Sequence, residues 1–127
     1  MIAVINSGSS SIKFKLFNME NEEVIASVMV EKIGEFSSIT TLKYNDKKIV
    51  ITSVVANHHD GLENIMMILN ENNILDSFSS LDAIGHRVVH GADIFKTSTL
   101  INESVISKIK ELIPLAPLHN PANLEGI

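Results

Sequence analysis

Two hydrophobic spacings divide this chain. Residues 2 to 5 are continuously apolar and rich in β-branched side chains, the pattern of a strand buried on both faces. From residue 12 the pattern alternates: Ile12, Phe14 and Leu16 fall on one side and Lys13 and Lys15 on the other. That two-residue period predicts a second strand, and the polar run Asn6-Ser7-Gly8-Ser9-Ser10-Ser11 between them predicts a hairpin turn. Val24 to Val30 reads as a third strand. Thr40 to Lys43 and Ile49 to Ser53 read as a further hairpin around Asn45-Asp46, without the Asn-Gly pair that marks such turns most strongly. After Asp60 the period changes, because Leu62, Ile65, Met66 and Leu69 recur at i, i+3, i+4 and i+7. This spacing predicts a helix over 60–70, and the apolar Met67 and Ile68 beside the stripe predict burial on most of its sides. Leu81 to His90 reads as a strand entering a loop at Gly91. Val105, Ile109, Leu112 and Ile113 mark a helix over 103–113, with Asn102 as its cap and Glu103 in its first turn. Pro121 suits the first position of one more helix. Strands, helix, strand, helix in that order predict a single α/β domain with a mixed sheet flanked by helices.

Composition narrows the classes. At 127 residues and 45% hydrophobic, with 20% charged, the chain has enough apolar material for one packed core and is not of the disordered type. It has no cysteine, which removes disulfide scaffolds and thiolate metal sites. Ten basic against fifteen acidic residues give a formal net charge of −5, which disfavours general binding to nucleic acid or to an anionic membrane. The start of the chain lacks the basic and long apolar regions of a secretory signal, and no stretch approaches the ~18 apolar residues of a membrane span. The expectation is a cytoplasmic protein, in which Asn102-Glu103-Ser104 is a helix start rather than a glycan site.

Three constellations could carry chemistry. The turn at residues 6 to 11 can aim backbone N–H groups and the hydroxyls of Ser9, Ser10 and Ser11 at phosphate oxygens, with Lys13 adding a compact positive charge. Asn6 can hold a metal-bound water or a hydroxyl. An ordinary hairpin turn has the same composition. No Gly-Lys-Ser/Thr follows, so it is not a Walker A loop. The second constellation is His86-Arg87-Val88-Val89-His90-Gly91. An arginine ending a core strand is costly unless paired, which points either to a cleft that binds carboxylate or phosphate or to a buried ion pair. His86 and His90 make a poor metal pair because the segment reads as strand. The third is Pro117-Leu118-His119-Asn120-Pro121, in which two prolines can stiffen the presentation of a His-Asn pair. The adjacent His58-His59 reads as a solvent-exposed helix entry.

Taken together, Val4 to Phe14, Gly85 to Gly91 and Leu115 to Asn123 resemble the acetate kinase family in order and spacing, while residues 20 to 80 add little. The resemblance implies a ribonuclease-H-like domain of the actin-like ATPase superfamily. It also implies that residues 1–127 are the N-terminal domain of a longer two-domain enzyme. That enzyme transfers the ATP γ-phosphate to acetate, reversibly and with magnesium, giving acetyl phosphate and ADP. By the same resemblance Asn6 associates with Mg2+, Lys13, Ser9 and Ser11 lie near the nucleotide phosphates, Arg87 binds the carboxylate substrate, and His119 belongs to the active-site region. The catalytic residues are implied to lie beyond Ile127, so the fragment alone would be inactive and the full-length protein a homodimer. Ala92 stands where many relatives have a glycine. Kinases for propionate or butyrate share these motifs. A non-catalytic α/β module with an anion-binding turn is the reading from outside the enzyme class.

Overall fold

A computed structural model describes residues 1–88, 97–115, 117 and 120–127. Six strands form one sheet: β1 (Ile2–Ser7), β2 (Ile12–Asn18), β3 (Glu23–Glu31), β4 (Ser38–Tyr44), β5 (Lys47–Ser53) and β6 (Ala83–His86). Their order across the sheet is β5-β4-β3-β2-β1-β6. All neighbours are antiparallel except β1 and β6, which run parallel, so the sheet is mixed as the element order predicts. The helices are α1 (His58–Glu71), α2 (Glu103–Glu111) and α3 (Asn120–Gly126). Short 3-10 turns stand at Phe78–Ser80 and Ile113–Leu115.

The alternation of Ile12, Phe14 and Leu16 organises the core. In register with them lie Ser7, Ile5 and Ala3 on β1 and Val30, Val28 and Ala26 on β3, so the buried positions of three strands form one continuous surface. Leu42 extends it on β4 beside Val28. Ile65, Ile68 and Leu69 of α1 are buried in the same cluster. Each such side chain contributes about 1.5–3 kcal/mol on leaving water. Helix and sheet approach closely at Gly61, where a Cβ would stand 2.9 Å from Ile12 Cδ1. Asn102 caps α2 as the sequence predicts, its Oδ1 accepting from the Val105 amide at 2.9 Å, and Asn57 caps α1 in the same way, its Oδ1 accepting from the Asp60 amide at 2.9 Å. In the Asn45-Asp46 turn both residues have positive φ, 47° and 60°, the backbone a two-residue hairpin requires.

Three expectations need correction. Residues 2 to 5 are not buried on both faces: Ala3 and Ile5 are buried while Val4 is 43% exposed, because helices cover only one side of β1 among the described residues. Helix α1 is likewise buried on one stripe only, with Met67 48% exposed. Of the strand expected over Leu81–His90, the described residues 81–88 form strand only at Ala83–His86, which ends the sheet among the described residues, with Ile84 48% exposed. An edge strand explains why its composition resembles a core strand without its burial: β1 protects only one of its sides.

Candidate functional site

Because β1 and β6 are parallel, their carboxyl ends lie side by side, which is where ligands bind in open α/β sheets. The serine turn leaves the end of β1 and Arg87 leaves the end of β6. Within the turn the Gly8 amide donates to the Ser11 carbonyl at 2.7 Å. Two donors from elsewhere fix its other carbonyls. The Ile33 amide donates to Ser10 at 3.0 Å, and His58 Nε2 donates to the Gly8 carbonyl at 2.6 Å. A carbonyl oxygen only accepts, so the bond places a proton on His58 Nε2. His58 is therefore a half-buried strut for the turn and not the exposed entry residue its position before a helix suggests.

The turn's remaining groups suit an anion. The Ser9 and Ser10 amides have no protein acceptor among the described residues, and both side chains are exposed. Ser11 is half-buried. Asn6 and Lys13 are cross-strand partners on the face opposite the core, so the Asn6 carboxamide and the Lys13 ammonium start from adjacent positions. The Lys13 side chain is exposed and borders a concavity of about 330 Å³ that is also lined by Lys15, Lys43 and Lys48. Lys43 and Lys48 are themselves cross-strand partners. This concentrates cations on one face of an acidic chain. The described residues contain no group of three or more His, Asp or Glu side chains able to enclose a metal ion. A magnesium ion beside the half-buried Asn6 would therefore have to keep most of its waters and take its anionic ligands from phosphate.

Behind the turn lies a small polar core. Asn123 Nδ2 donates to the Ser7 carbonyl at 2.7 Å, and the buried Ser7 hydroxyl lies 3.3 Å from His86 Nε2. His86 Nδ1 donates to the Arg87 carbonyl at 2.6 Å, which fixes the tautomer: Nδ1 carries the proton and Nε2 accepts from Ser7. A Cβ on Gly126 would overlap the His86 ring and the Ser7 hydroxyl, so α3 reaches β1 and β6 only because residue 126 has no side chain. Burial pushes the His86 pKa below its ordinary value, outweighing the opposing effect of the bond to Arg87. The unfolded chain thus binds a proton more readily than the folded one, and stability present at neutral pH is lost as pH falls. Thermal unfolding should show a lower Tm at about pH 5.5 than at about 7.5, and His86→Gln should flatten that difference. An equal pH slope in wild type and variant would remove His86 from the account.

Arg87 is exposed, its amide donating to the Ile5 carbonyl at 3.1 Å. The burial cost that motivated a pairing is absent because β6 is an edge. Arg87 borders a cavity of about 300 Å³ with Thr97, Thr99, Ile101, Val105 and Ile109, and no residue of the serine turn lines that cavity. Asn6 and Lys13 thus adjoin each other, while Arg87 lies at the neighbouring strand end in a different depression. His90, Gly91, Ala92 and His119 lie outside the described residues. Sequence reasoning missed His58, Asn123 and Gly126. Asn120 and Asn123, three apart in a proline-led helix and both buried, offered a signal for the second.

Comparison with known proteins decides the family. The model of the Acetokinase family matches residues 1–127 in full. The chain belongs to that family. Acetate kinase from Sulfurimonas denitrificans is 64% identical over 126 residues, covering 99% of this chain and 32% of the relative. A crystal structure of Porphyromonas gingivalis acetate kinase superimposes with a TM-score of 0.91 at 41% identity, over 98% of this chain and 32% of that one. A propionate kinase from Francisella tularensis gives 0.87 at 40% identity, again over 98% and 32%. The chain therefore spans about a third of the length of these relatives. Its mixed sheet and helices are those of the ribonuclease-H-like fold of the actin-like ATPase superfamily.

Proposed function

We propose that residues 1–127 form the N-terminal domain of an acetate kinase, in which a carboxylate oxygen of acetate attacks the γ-phosphorus of ATP and ADP departs. The observation that carries this reading is the serine turn. Its carbonyls are tied back by Ile33 and His58, which leaves N–H and hydroxyl donors facing outward at the carboxyl end of β1. Ser9 and Ser11 hydrogen-bond phosphate oxygens, and Lys13 balances their charge. Asn6 holds the hydration shell of a magnesium ion brought in with the nucleotide; when bound, that ion neutralises charge building on the transferring phosphoryl group. Arg87 orients the acceptor carboxylate, and His119 belongs to the active-site region. The remaining transition-state cations and the rest of the nucleotide pocket come from a further domain, in a protein that is homodimeric at full length and works in the cytoplasm. Among the described residues no helix is long and apolar enough to cross a membrane. The likeness to both an acetate and a propionate kinase at nearly equal TM-score favours propionate as the second acceptor to assay.

Arg87→Ala in the full-length enzyme is the test. Loss of a charge-assisted contact costs about 1.5–3 kcal/mol, so KM for acetate should rise about 10- to 150-fold with KM for ATP little changed. An unchanged acetate KM would remove Arg87 from the substrate site.

A further inference from the structure

A tight hairpin ordinarily satisfies its own turn. Over Gly8-Ser9-Ser10-Ser11 that closure would use two bonds, the Gly8 amide donating to the Ser11 carbonyl and the Ser11 amide donating to the Gly8 carbonyl. Only the first is made among the described residues, at 2.7 Å. The Gly8 carbonyl accepts instead from His58 Nε2 at 2.6 Å. This exchange of partners leaves the Ser11 amide, like those of Ser9 and Ser10, without a protein acceptor among the described residues. It also sets a direction, because a trans peptide is planar and its N–H points opposite to its C=O. With the Gly8 carbonyl held inward by His58, the Ser9 N–H turns outward. The Ile33 amide, donating to the Ser10 carbonyl at 3.0 Å, turns the Ser11 N–H outward in the same way.

The imidazole reaches Gly8 from a fixed platform. His58 is the first residue of α1, whose start is set by the Asn57 cap and by the Gly61 amide donating to the Asn57 carbonyl at 3.0 Å. One turn in, a Cβ on Gly61 would meet the side chains of Ile12, Ile33 and Val55 at 2.9, 3.5 and 3.6 Å, so the helix start is packed against them at close range. Ile12 directly follows the serine turn, and Ile33 carries the other amide that holds it. The Gly34 amide donates to the Val55 carbonyl at 2.8 Å and ties the segment entering α1 to the loop after β3. Turn, loop and helix start are thus one hydrogen-bonded unit, complete within residues 8–61. We propose that His58 is a positioning residue: it holds the turn open with its amides outward, against a closed form in which the Gly8 carbonyl pairs with the Ser11 amide. The Gly8–Ser9 peptide is the one that turns over at least cost, since glycine has no Cβ to restrict it. Closure removes the Ser11 donor and releases the Ser9 N–H from its outward direction. The effect on the reaction rests on the turn being the seat of the nucleotide phosphates; the open form of the turn does not.

Two readouts on the full-length enzyme test this. His58→Leu keeps bulk and removes the donor, while His58→Gln returns an N–H at nearly the reach of Nε2; circular dichroism checks that both fold. His58→Asn, one methylene too short, takes the place of the leucine variant if that one unfolds. Amide hydrogen exchange of Ser11 without nucleotide, read by NMR after serine-selective isotope labelling, should slow about tenfold in His58→Leu and keep the wild-type rate in His58→Gln, because only the former frees the Gly8 carbonyl to accept it. KM for ATP should rise about tenfold in His58→Leu, the upper range for one neutral hydrogen bond, with KM for acetate changed less than about twofold and His58→Gln near wild type. Unchanged Ser11 exchange in His58→Leu overturns the proposal, and so does a glutamine variant as impaired as the leucine one in both readouts. Lys13→Ala tests the nucleotide reading by itself. If it and His58→Leu both leave KM for ATP unchanged while Ser11 exchange slows, the role of His58 in the turn stands and the turn is not the seat of the nucleotide phosphates.

Discussion

Given acetyl phosphate, ADP and magnesium, the purified 127-residue chain is expected to form ATP at less than about 10⁻⁴ of the rate of the full-length kinase, on the reasoning that groups acting as a unit fail together. In phosphoryl transfer the protein's work is positioning and charge stabilisation from several directions at once. Removing one preorganised donor typically costs about 10²- to 10³-fold. Here the donors of the serine turn, Lys13 and Arg87 are present, but Lys13 and Arg87 border two separate depressions and no residue of the turn lines either. Nothing among the described residues closes over them to exclude water. The chain spans about a third of the length of the relatives it matches, and whatever the other two-thirds of those proteins supply is not among these 127 residues. A coupled assay for ATP on the fragment and the full-length protein decides the matter. Comparable rates would show that one side of the cleft suffices.

Phe14→Ala is expected to destabilise the domain by about 3–5 kcal/mol, since the aromatic ring leaves a cavity that its neighbours cannot fill. Phe14 is fully buried at the centre of the sheet, between Ile5 on β1 and Val28 on β3, and its ring lies 6.0 Å from that of Phe78. Domains of this kind hold about 5–15 kcal/mol in total, so the variant approaches the folding threshold. Urea denaturation read by circular dichroism measures the loss, and a cost below about 1 kcal/mol would mean that the site collapses or that the core is centred elsewhere.

The strands and long helices were legible because their signals are local. The two-residue period of Ile12, Phe14 and Leu16 and the helical period of Leu62, Ile65, Met66 and Leu69 each depend on neighbours in sequence. Exposure was less legible. The apolar run at residues 2 to 5 and the segment around Ile84 look alike on paper, yet Ala3 is buried and Ile84 half exposed, because one strand is interior to the sheet and the other ends it. Sheet order is set by long-range pairing, and no local pattern encodes it. At the candidate site the hydroxyls, Lys13 and Arg87 could be named from residue type. The struts could not: His58 lies fifty positions from the carbonyl it holds and Asn123 one hundred and sixteen from its own, and neither differs in sequence from an ordinary helix-entry residue or cap.

Those struts also set an order of events for the newly made chain. The β1–β2 hairpin is local and can form on the microsecond scale. Its turn cannot take its final shape until the Ile33 amide, the first turn of α1 and finally α3 have docked, because the bonds to Ser10, Gly8 and Ser7 come from those segments. The loops closed by the last two contacts are long, so these bonds form after the local structure rather than with it. A nascent chain emerging from the ribosome therefore carries the strands of the cradle well before it carries a cradle.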